Sequence, residues 1–393
     1  MNNSKHHIYL DYSATTPLDD EVSEVIRMHL RDTFGNASSI HSFGRTAKAL
    51  LEENREIIAR SIGAETSEVF FTSGGTESDN HALIGRALAQ RRTSGKDHII
   101  VSAIEHHAVL DCAEYLRTLG FRISTIPVDQ NGYVHPDEIE KLITDSTCLI
   151  SVMHANNETG AIQPVKEISA VTKKYGIPFH SDTVQTIGKI PVDVNDLGVD
   201  LLAVSAHKVY GPKGIGAIYI RKGTDLDPIL HGGAQERNTR PGTENVPLIA
   251  GFAKAVERAE QNRDTLFTSA LQFRTELLGI ITSSCKGVIN NSSGTQSLPH
   301  ILSISLDPSF YEIESETLLF NMDLRGVAVS SGSACTSGSV QPSHVLMAMG
   351  RDIKTTQTTV RFSFGKFTTI EEVKSAGNTY CSIVQSFLKP SIV

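Results

Sequence analysis

A lysine, an aspartate and a pair of glycines stand at points in this sequence where one kind of chemistry needs them. Lys208 closes the stretch Ser205-Ala206-His207-Lys208, directly after the apolar run Leu201 to Val204. That run reads as a short buried strand. Gly211, Pro212, Gly214 and Gly216 then turn the chain before a long helix can form. A lysine that forms a Schiff base needs such a mount, fixed, sheltered and near a charge that stabilises its reacted form. Taken alone, Ser-x-His-Lys is more often a surface lysine in a glycine-rich loop. Asp182, 26 residues earlier, follows the run Ile177 to Ser181, with Gln185 three positions on. A carboxylate at the end of a buried strand needs a partner. Ser73-Gly74-Gly75-Thr76-Glu77-Ser78-Asp79 follows the run Val69 to Thr72 and opens a helix. Thr76 with Asp79 fits a capping box there. The two glycines let backbone N–H groups approach a ligand, and a helix start binds phosphate. A plain capped helix explains the same stretch equally well. The three features on one sheet edge fit pyridoxal phosphate, with the aspartate on the pyridinium nitrogen and the lysine on the aldehyde. The glycine turn is neither G-x-x-x-x-G-K-[ST] nor G-x-G-x-x-G, so nucleotide binding of those kinds is not indicated.

The elements that would position these residues alternate. Strand-like runs occur near 69–72, 98–102, 121–128, 148–153, 177–181, 200–205 and 215–220, and helical patterns near 77–92, 106–118, 136–143 and 164–175. Such alternation predicts an α/β fold with a mainly parallel sheet covered on both faces. Ligands bind at the carboxyl ends of strands in such sheets. Glu105-His106 and Asn156-Asn157-Glu158 also fall at strand ends. One histidine there is more often structural, and an asparagine pair binds a ligand or makes an Asx-turn. Before the sheet, Ile8 to Pro17 reads as an extended entry and 20–32 and 44–61 as helices, joined by a polar loop that makes Asn36 and His41 weak candidates. After it, 231–247 is a long polar loop of the kind that is functional or disordered. Helical patterns follow at 244–262 and 265–282. Strands near 301–305, 326–330 and 359–364 and helices near 314–324 and 370–388 make a smaller α+β domain. The expected division is a large domain, 16–262, and a small one of 1–15 with 263–393.

Composition narrows the classes. The 393 residues carry a net charge of −8, with 39% hydrophobic and 20% charged residues. These values fit a globular protein and argue against a general nucleic-acid or anionic-membrane binder. No apolar stretch is long enough to span a bilayer, and the N-terminus has no signal-peptide core, so a cytoplasmic location is expected. The five cysteines include no C-x-x-C pair, which argues against a disulfide framework or a zinc site. Cys112, Cys148 and Cys381 read as small core residues, and Cys285 as one that follows a helix. Cys335 differs. It sits in Ser331-Gly332-Ser333-Ala334-Cys335-Thr336-Ser337-Gly338-Ser339, whose small residues lack the bulk to pack, so the thiol is expected on an exposed, mobile loop.

These residues together resemble the cysteine desulfurases of the NifS/IscS type, class-V members of the aspartate-aminotransferase-like, pyridoxal-phosphate-dependent fold type I. The resemblance runs from Tyr9-Leu10-Asp11 to Arg361. It is carried by Thr72 to Ser78, Glu105-His106, Asn156-Asn157-Glu158, Asp182 with Gln185, Ser205-Ala206-His207-Lys208, Arg240-Pro241-Gly242-Thr243 and Ser331-Gly332-Ser333-Ala334-Cys335. The loop around Cys335 is similar to the long type in this family, not the short type of the SufS-like branch. The resemblance implies that Lys208 holds the cofactor aldehyde, that His106 stacks on the ring and moves protons, and that Asp182 and Gln185 bond the ring nitrogen and ring oxygen. It implies that Gly75, Thr76, Ser205 and His207 hold the phosphate, with Thr243 from the other subunit of a homodimer. Asn157, Arg361 and Asn36 would bind the substrate, and Cys335 would attack its sulfur. L-cysteine would become L-alanine, and the persulfide on Cys335 would pass to an iron–sulfur scaffold or another sulfur acceptor. No intrinsic metal is implied; Cys335 would ligate a cluster only transiently, on a scaffold partner. Thr183 departs from the alanine usual in the family. The nearest alternatives are a selenocysteine lyase or an aminotransferase of the same fold, the latter having no use for Cys335, and a protein that docks an iron–sulfur scaffold.

Overall fold

Seven strands form the central sheet, in the spatial order Val69–Thr72, Gly216–Ile220, Leu201–Ser205, Phe179–Asp182, Thr147–Ser151, His98–Ser102 and Arg122–Ile126. The computed structural model describes residues 7–292, 294, 296–332 and 342–390. Six of the strands are buried along their whole length, and most of them read as apolar runs for that reason, Phe179–Asp182 with its His180, Ser181 and Asp182 being the exception; Arg122–Ile126, at the edge, is only partly covered. Gly216–Ile220 runs antiparallel to both its neighbours, and the remaining pairings are parallel. Gly216 is therefore opposite Thr72 on one side and Ser205 on the other. This register brings the glycine turn and the lysine turn to one edge of the sheet. A Cβ on residue 216 would come within 2.7 Å of the Gly74 Cα, so only glycine lets the two turns approach.

The helix at the glycine turn starts at Gly75, with Gly74 as its N-cap and no side-chain cap. The expected Thr76–Asp79 capping box is absent. Ser78 Oγ instead donates to the Gly74 carbonyl, and the Glu77 carboxylate accepts from Ser73 N. Asp79 is buried beneath the turn and is not free to cap. The two helical patterns expected after the polar loop are one helix, Val246–Ser284, of 39 residues. The polar stretch Gln261-Asn262-Arg263-Asp264 contains neither glycine nor proline, so nothing breaks the helix there. It packs against the helices Asp20–Asp32, Ser42–Ser61 and Ile370–Gln385.

Two of the apolar clusters take opposite ends of the long helix. One covers one face of the central sheet and takes the first part of the long helix, including Ile249, Phe252 and Val256, while a further cluster with Phe70, Val101 and Leu149 covers the other face. Another joins Leu277 and Ile281 from the far end of that helix to Leu302, Phe362 and Tyr380, and also to Ile8 and Leu10. The three-stranded antiparallel sheet Val360–Ser363, Ile301–Leu306, Val288–Asn290 lies within it. Ile8–Tyr9 pairs in parallel with Val327–Ala328, so the first described strand belongs with the C-terminal part of the chain.

Candidate active site

The carboxyl edge of the sheet opens into a cavity of about 460 Å³. Its lining includes Gly75, Thr76, His106, Asn157, Asp182, Gln185, Ser205, His207, Lys208 and Arg361, all expected from the sequence. Asn36 and Thr243 lie elsewhere. Asn36 is exposed, with its Oδ1 accepting from Ser38 N, and Thr243 is exposed on the long loop. Cys335 lies outside the described residues. Ser330, Gly332 and His344, which flank the segment 333–341, line the cavity.

Lys208 leaves the strand Leu201–Ser205 through a single turn, Ala206–Lys208. Its Nζ donates to the carbonyls of Ser13 and Ala14 at 2.5 and 2.7 Å. Burial, and next the charge of Arg361, lower its pKa to about 8. Asp182 ends the adjacent strand, and its Oδ1 accepts from Val184 N at 2.8 Å. Burial raises its pKa to about 6, offset by Val184 N–H and the charge of Lys208. A protonated ring nitrogen is the kind of cation that would hold this carboxylate ionised. His106 caps the helix His107–Thr118, and its Nδ1 accepts from Ala108 N. Burial, and then Lys208, lower its pKa to about 4, so the ring is neutral and carries its proton on Nε2. Glu105 beside it is buried, its Oε1 accepting from Ser102 Oγ and from Met153 N. Burial raises its pKa to about 8. A neutral carboxyl here ties two strand ends together and sets the turn that presents His106.

The asparagine pair divides its duties. Asn156 is structural, its Oδ1 accepting from Glu158 N and Thr159 N and its Nδ2 donating to the Ile104 carbonyl. Asn157 lines the cavity, and its carbonyl accepts from Arg361 Nη1 at 2.8 Å. Arg361 Nη2 pairs with Asp11 Oδ1 at 2.8 Å, while the buried Nε has no hydrogen-bond partner among the described residues. Thr183 donates to the Ala203 carbonyl, so its hydroxyl is spent inside the fold, and Val184 lines the cavity. The residues whose part in the site the sequence did not show are the Ser13 and Ala14 carbonyls, Asp11, and Asp79, which lines the cavity and lies 3.4 Å from the buried His180 Nε2. Glu158, buried at the rim, accepts from Ser343 Oγ.

The donor set fits pyridoxal phosphate. A Cβ on Gly75 would strike Val184 at 2.8 Å, so only glycine lets Val184 pack against the turn, where the backbone can approach a phosphate. Ser205, Thr76 and His207, the last held through Nδ1 by Thr15 Oγ1 at 3.1 Å, surround that end with donors. The lysine and the aspartate occupy neighbouring strand ends, as an aldehyde and a ring nitrogen of one molecule require.

The sequence profile of the class-V aminotransferases matches residues 8–375. The chain belongs to this family. Its cofactor is pyridoxal 5′-phosphate. A relative from Dictyoglomus turgidum, a cysteine desulfurase IscS, is 49% identical over 369 residues, covering 94% of this chain and 92% of the relative. Among solved structures, a NifS-like protein superposes with a TM-score of 0.89 at 38% identity, covering 97% of this chain and all of the other. The structure of SspA in complex with cysteine superposes with a TM-score of 0.80 at 35% identity, covering 92% of this chain and all of the other.

None of the cysteines among the described residues lines the cavity, although the Cys285 thiol beside Cys381 lowers the pKa of the latter. Cys112, Cys148, Cys285 and Cys381 are all buried, and burial pushes Cys112 up to about 12 and Cys148 to about 11.

Proposed function

We propose that this chain is a pyridoxal-phosphate-dependent cysteine desulfurase that converts L-cysteine to L-alanine and leaves a persulfide on Cys335. The observation that carries the reading is one of placement. The cavity that holds Lys208, Asp182 and Arg361 is also lined by Gly332 and His344, on either side of the segment 333–341 that contains Cys335. Cys335 is three residues beyond Gly332. An extended chain reaches roughly 3.3–3.6 Å per residue, so the thiol has the span to enter the cavity.

The chemistry balances without an outside oxidant. The substrate C–S bond breaks, an S–S bond forms on Cys335, and the two thiol protons end on the persulfide and on the Cβ of alanine. When bound, the cofactor supplies an aldehyde that joins amines and a ring that takes up the electron pair left at Cα. Arg361 and Asn157 hold the substrate carboxylate, with Arg361 Nε, unpartnered among the described residues, as one available donor. Asp182 keeps a proton on the ring nitrogen. The Lys208 amine takes the Cα proton, and its lowered pKa makes the neutral form accessible near pH 7. His106 presents Nε2–H to the same space. Gly75, Thr76, Ser205 and His207 hold the phosphate.

The reading extends to the assembly. The chain forms a homodimer in which Thr243 completes the neighbour's phosphate site, and it delivers sulfur to an iron–sulfur scaffold or another acceptor in the cytoplasm. Among the described residues no helix is long and apolar enough to cross a membrane. The large domain, 16–262, carries the cofactor, and the small domain, 1–15 with 263–393, carries Arg361 and Cys335.

The test is direct. L-cysteine is added to the loaded enzyme, free thiols and persulfides are alkylated, and the modified cysteine is located by mass spectrometry while alanine is measured. Wild type should carry persulfide on Cys335, and Cys335→Ser should lose the persulfide and nearly all alanine release while keeping the cofactor. Full turnover by the serine variant would remove the mechanism.

A further inference from the structure

Lys189 lies in the apolar stretch Ile187-Gly188-Lys189-Ile190-Pro191, four residues after Gln185. Its Nζ donates to Gln185 Oε1 at 3.3 Å, and Gln185 Nε2 donates to the Ser13 carbonyl at 3.0 Å. A carbonyl only accepts, and an ammonium only donates. The two partners therefore dictate the same orientation of the Gln185 amide, oxygen toward Lys189 and nitrogen toward Ser13. Nε2 carries two hydrogens, and Ser13 takes one. Gln185 lines the cavity, so the second is available to a ligand there.

A purely packing role does not account for a lysine at this position. The charged and titratable groups that face it are Lys208, Arg361 and the histidines His207 and His300, with Asp182 and Asp11 facing Lys208 beyond. Burial, and then the charges of Lys208 and Arg361, lower the Lys189 pKa to about 7. An apolar side chain would fill the same place without desolvating a cation. A neutral amine still has N–H groups to donate, and the Ser13 carbonyl, which only accepts, keeps the amide in the same orientation when Lys189 loses its proton.

We propose that Lys189 is a positioning residue for the cofactor: by holding Gln185 Oε1 it turns the amide so that the NH₂ group, and not the carbonyl, meets the phenolic oxygen of bound pyridoxal phosphate. The inference rests on the cofactor reading above. With the amide reversed, a carbonyl oxygen would face a phenolate, and a hydrogen bond would become a repulsion.

The experiment reads the visible absorbance of the cofactor-loaded enzyme, without substrate, as a function of pH. Wild type, Lys189→Met, Gln185→Leu and the double variant are compared. A donor to the phenolate favours the form from which the proton has left, so its loss moves the midpoint upward. Gln185→Leu should raise it by about one pH unit, the worth of one charge-assisted hydrogen bond. Lys189→Met should raise it by about half as much, because Ser13 still biases the amide. The double variant should match Gln185→Leu alone, since residues acting through one contact are not additive. An additive shift in the double variant would mean that Lys189 acts by charge on Lys208, and the proposal would fall. No shift in either single variant overturns it as well. If Lys189→Met does not fold, Lys189→Arg and Lys189→Gln replace it. Arginine keeps a donor-only group and should stay near wild type, whereas glutamine accepts either amide orientation and should shift. Equal shifts in both count against the proposal. A wild-type enzyme that shows no visible absorbance with pyridoxal phosphate sinks the cofactor reading itself, and this inference with it.

Discussion

At the scale of single residues, the proposed mechanism makes the protonation of Lys208 govern how the site is loaded. Only a neutral amine has the lone pair to attack an aldehyde. Burial and the nearby Arg361 bring the pKa of Lys208 down to about 8. The cost of burying the ammonium is full below that value and is relieved as pH rises toward the ordinary lysine range, where the unfolded chain still holds the proton and the folded chain does not. The same depression predicts a rate. Cofactor-free enzyme mixed with pyridoxal phosphate should gain visible absorbance about tenfold faster for each pH unit up to about 8, and then level off. A flat profile between pH 6 and 8 would show that Lys208 is not the attacking group. His106, with its pKa at about 4, is already neutral throughout this range and adds no inflection.

At the scale of elements, the loop that carries Arg240 and Thr243 is fixed from below. Glu236, Arg237 and Asn238 all have left-handed φ, at 45°, 57° and 65°. Such a run is strained for residues other than glycine and persists only when other contacts impose it. The contact is a buried fork: Arg55 Nη1 and Nη2 reach both oxygens of Glu236 at 2.6 and 2.7 Å, and Glu236 Oε2 also accepts from Phe71 N, inside the strand that leads to the glycine turn. Arg240 then pairs with Glu77 at the start of the helix after that turn. Breaking a buried pair leaves an uncompensated charge, so Arg55→Met should cost about 3–5 kcal/mol. The exposed pair Lys48–Glu52 on the same helix provides the contrast, since Lys48→Met should change stability by no more than about 0.5 kcal/mol. Urea unfolding of the loaded enzyme compares the two, and equal midpoints would show that Arg55 does not hold the loop.

The strands were legible because burial on both faces leaves an unbroken apolar run, as in Leu201–Ser205. Of the residues at their ends, Lys208 and Asp182 stood out because a charge there needs a partner, whereas His106 read as structural until the family resemblance gave it a place. The helix Val246–Ser284 was read as two because a polar stretch looks like a junction even where no residue can break the helix. The hydrogen bonds to Lys208 could not be read at all. Ser13 and Ala14 act through backbone carbonyls, which any residue supplies, and they lie 195 and 194 positions away. Lys189 did leave a signal, a cation inside an apolar stretch. Its meaning depended on knowing that the Gln185 oxygen lay beside it.

At the scale of the whole molecule, two observations concern a second copy. Ile40, Phe34, Leu30 and Phe43 are 92%, 70%, 62% and 57% exposed, and Phe34 stacks on Phe43 in the open. Exposed apolar side chains close together in the chain, two of them in ring contact, are what an interface would cover. Thr243, exposed on its buttressed loop, is absent from the lining of the cavity in its own chain. If its hydroxyl bonds the phosphate across a dimer, then Thr243→Val should weaken pyridoxal phosphate binding by about tenfold or more, the worth of one hydrogen bond to a charged group. Lys208→Ala should abolish the visible absorbance of the bound cofactor. The two defects lie on different chains of any one site, which makes them separable by mixing. In a heterodimer of the two variants, the Thr243→Val subunit keeps its own Lys208 and receives an intact Thr243 from the Lys208→Ala subunit. That site is whole. Subunits exchanged at high concentration should therefore yield a fraction of sites with wild-type cofactor affinity, read by titrating visible absorbance, although neither parent has any. The other site of the same heterodimer carries both defects and stays silent. If Thr243 served its own chain, each site would keep one defect and mixing would restore nothing.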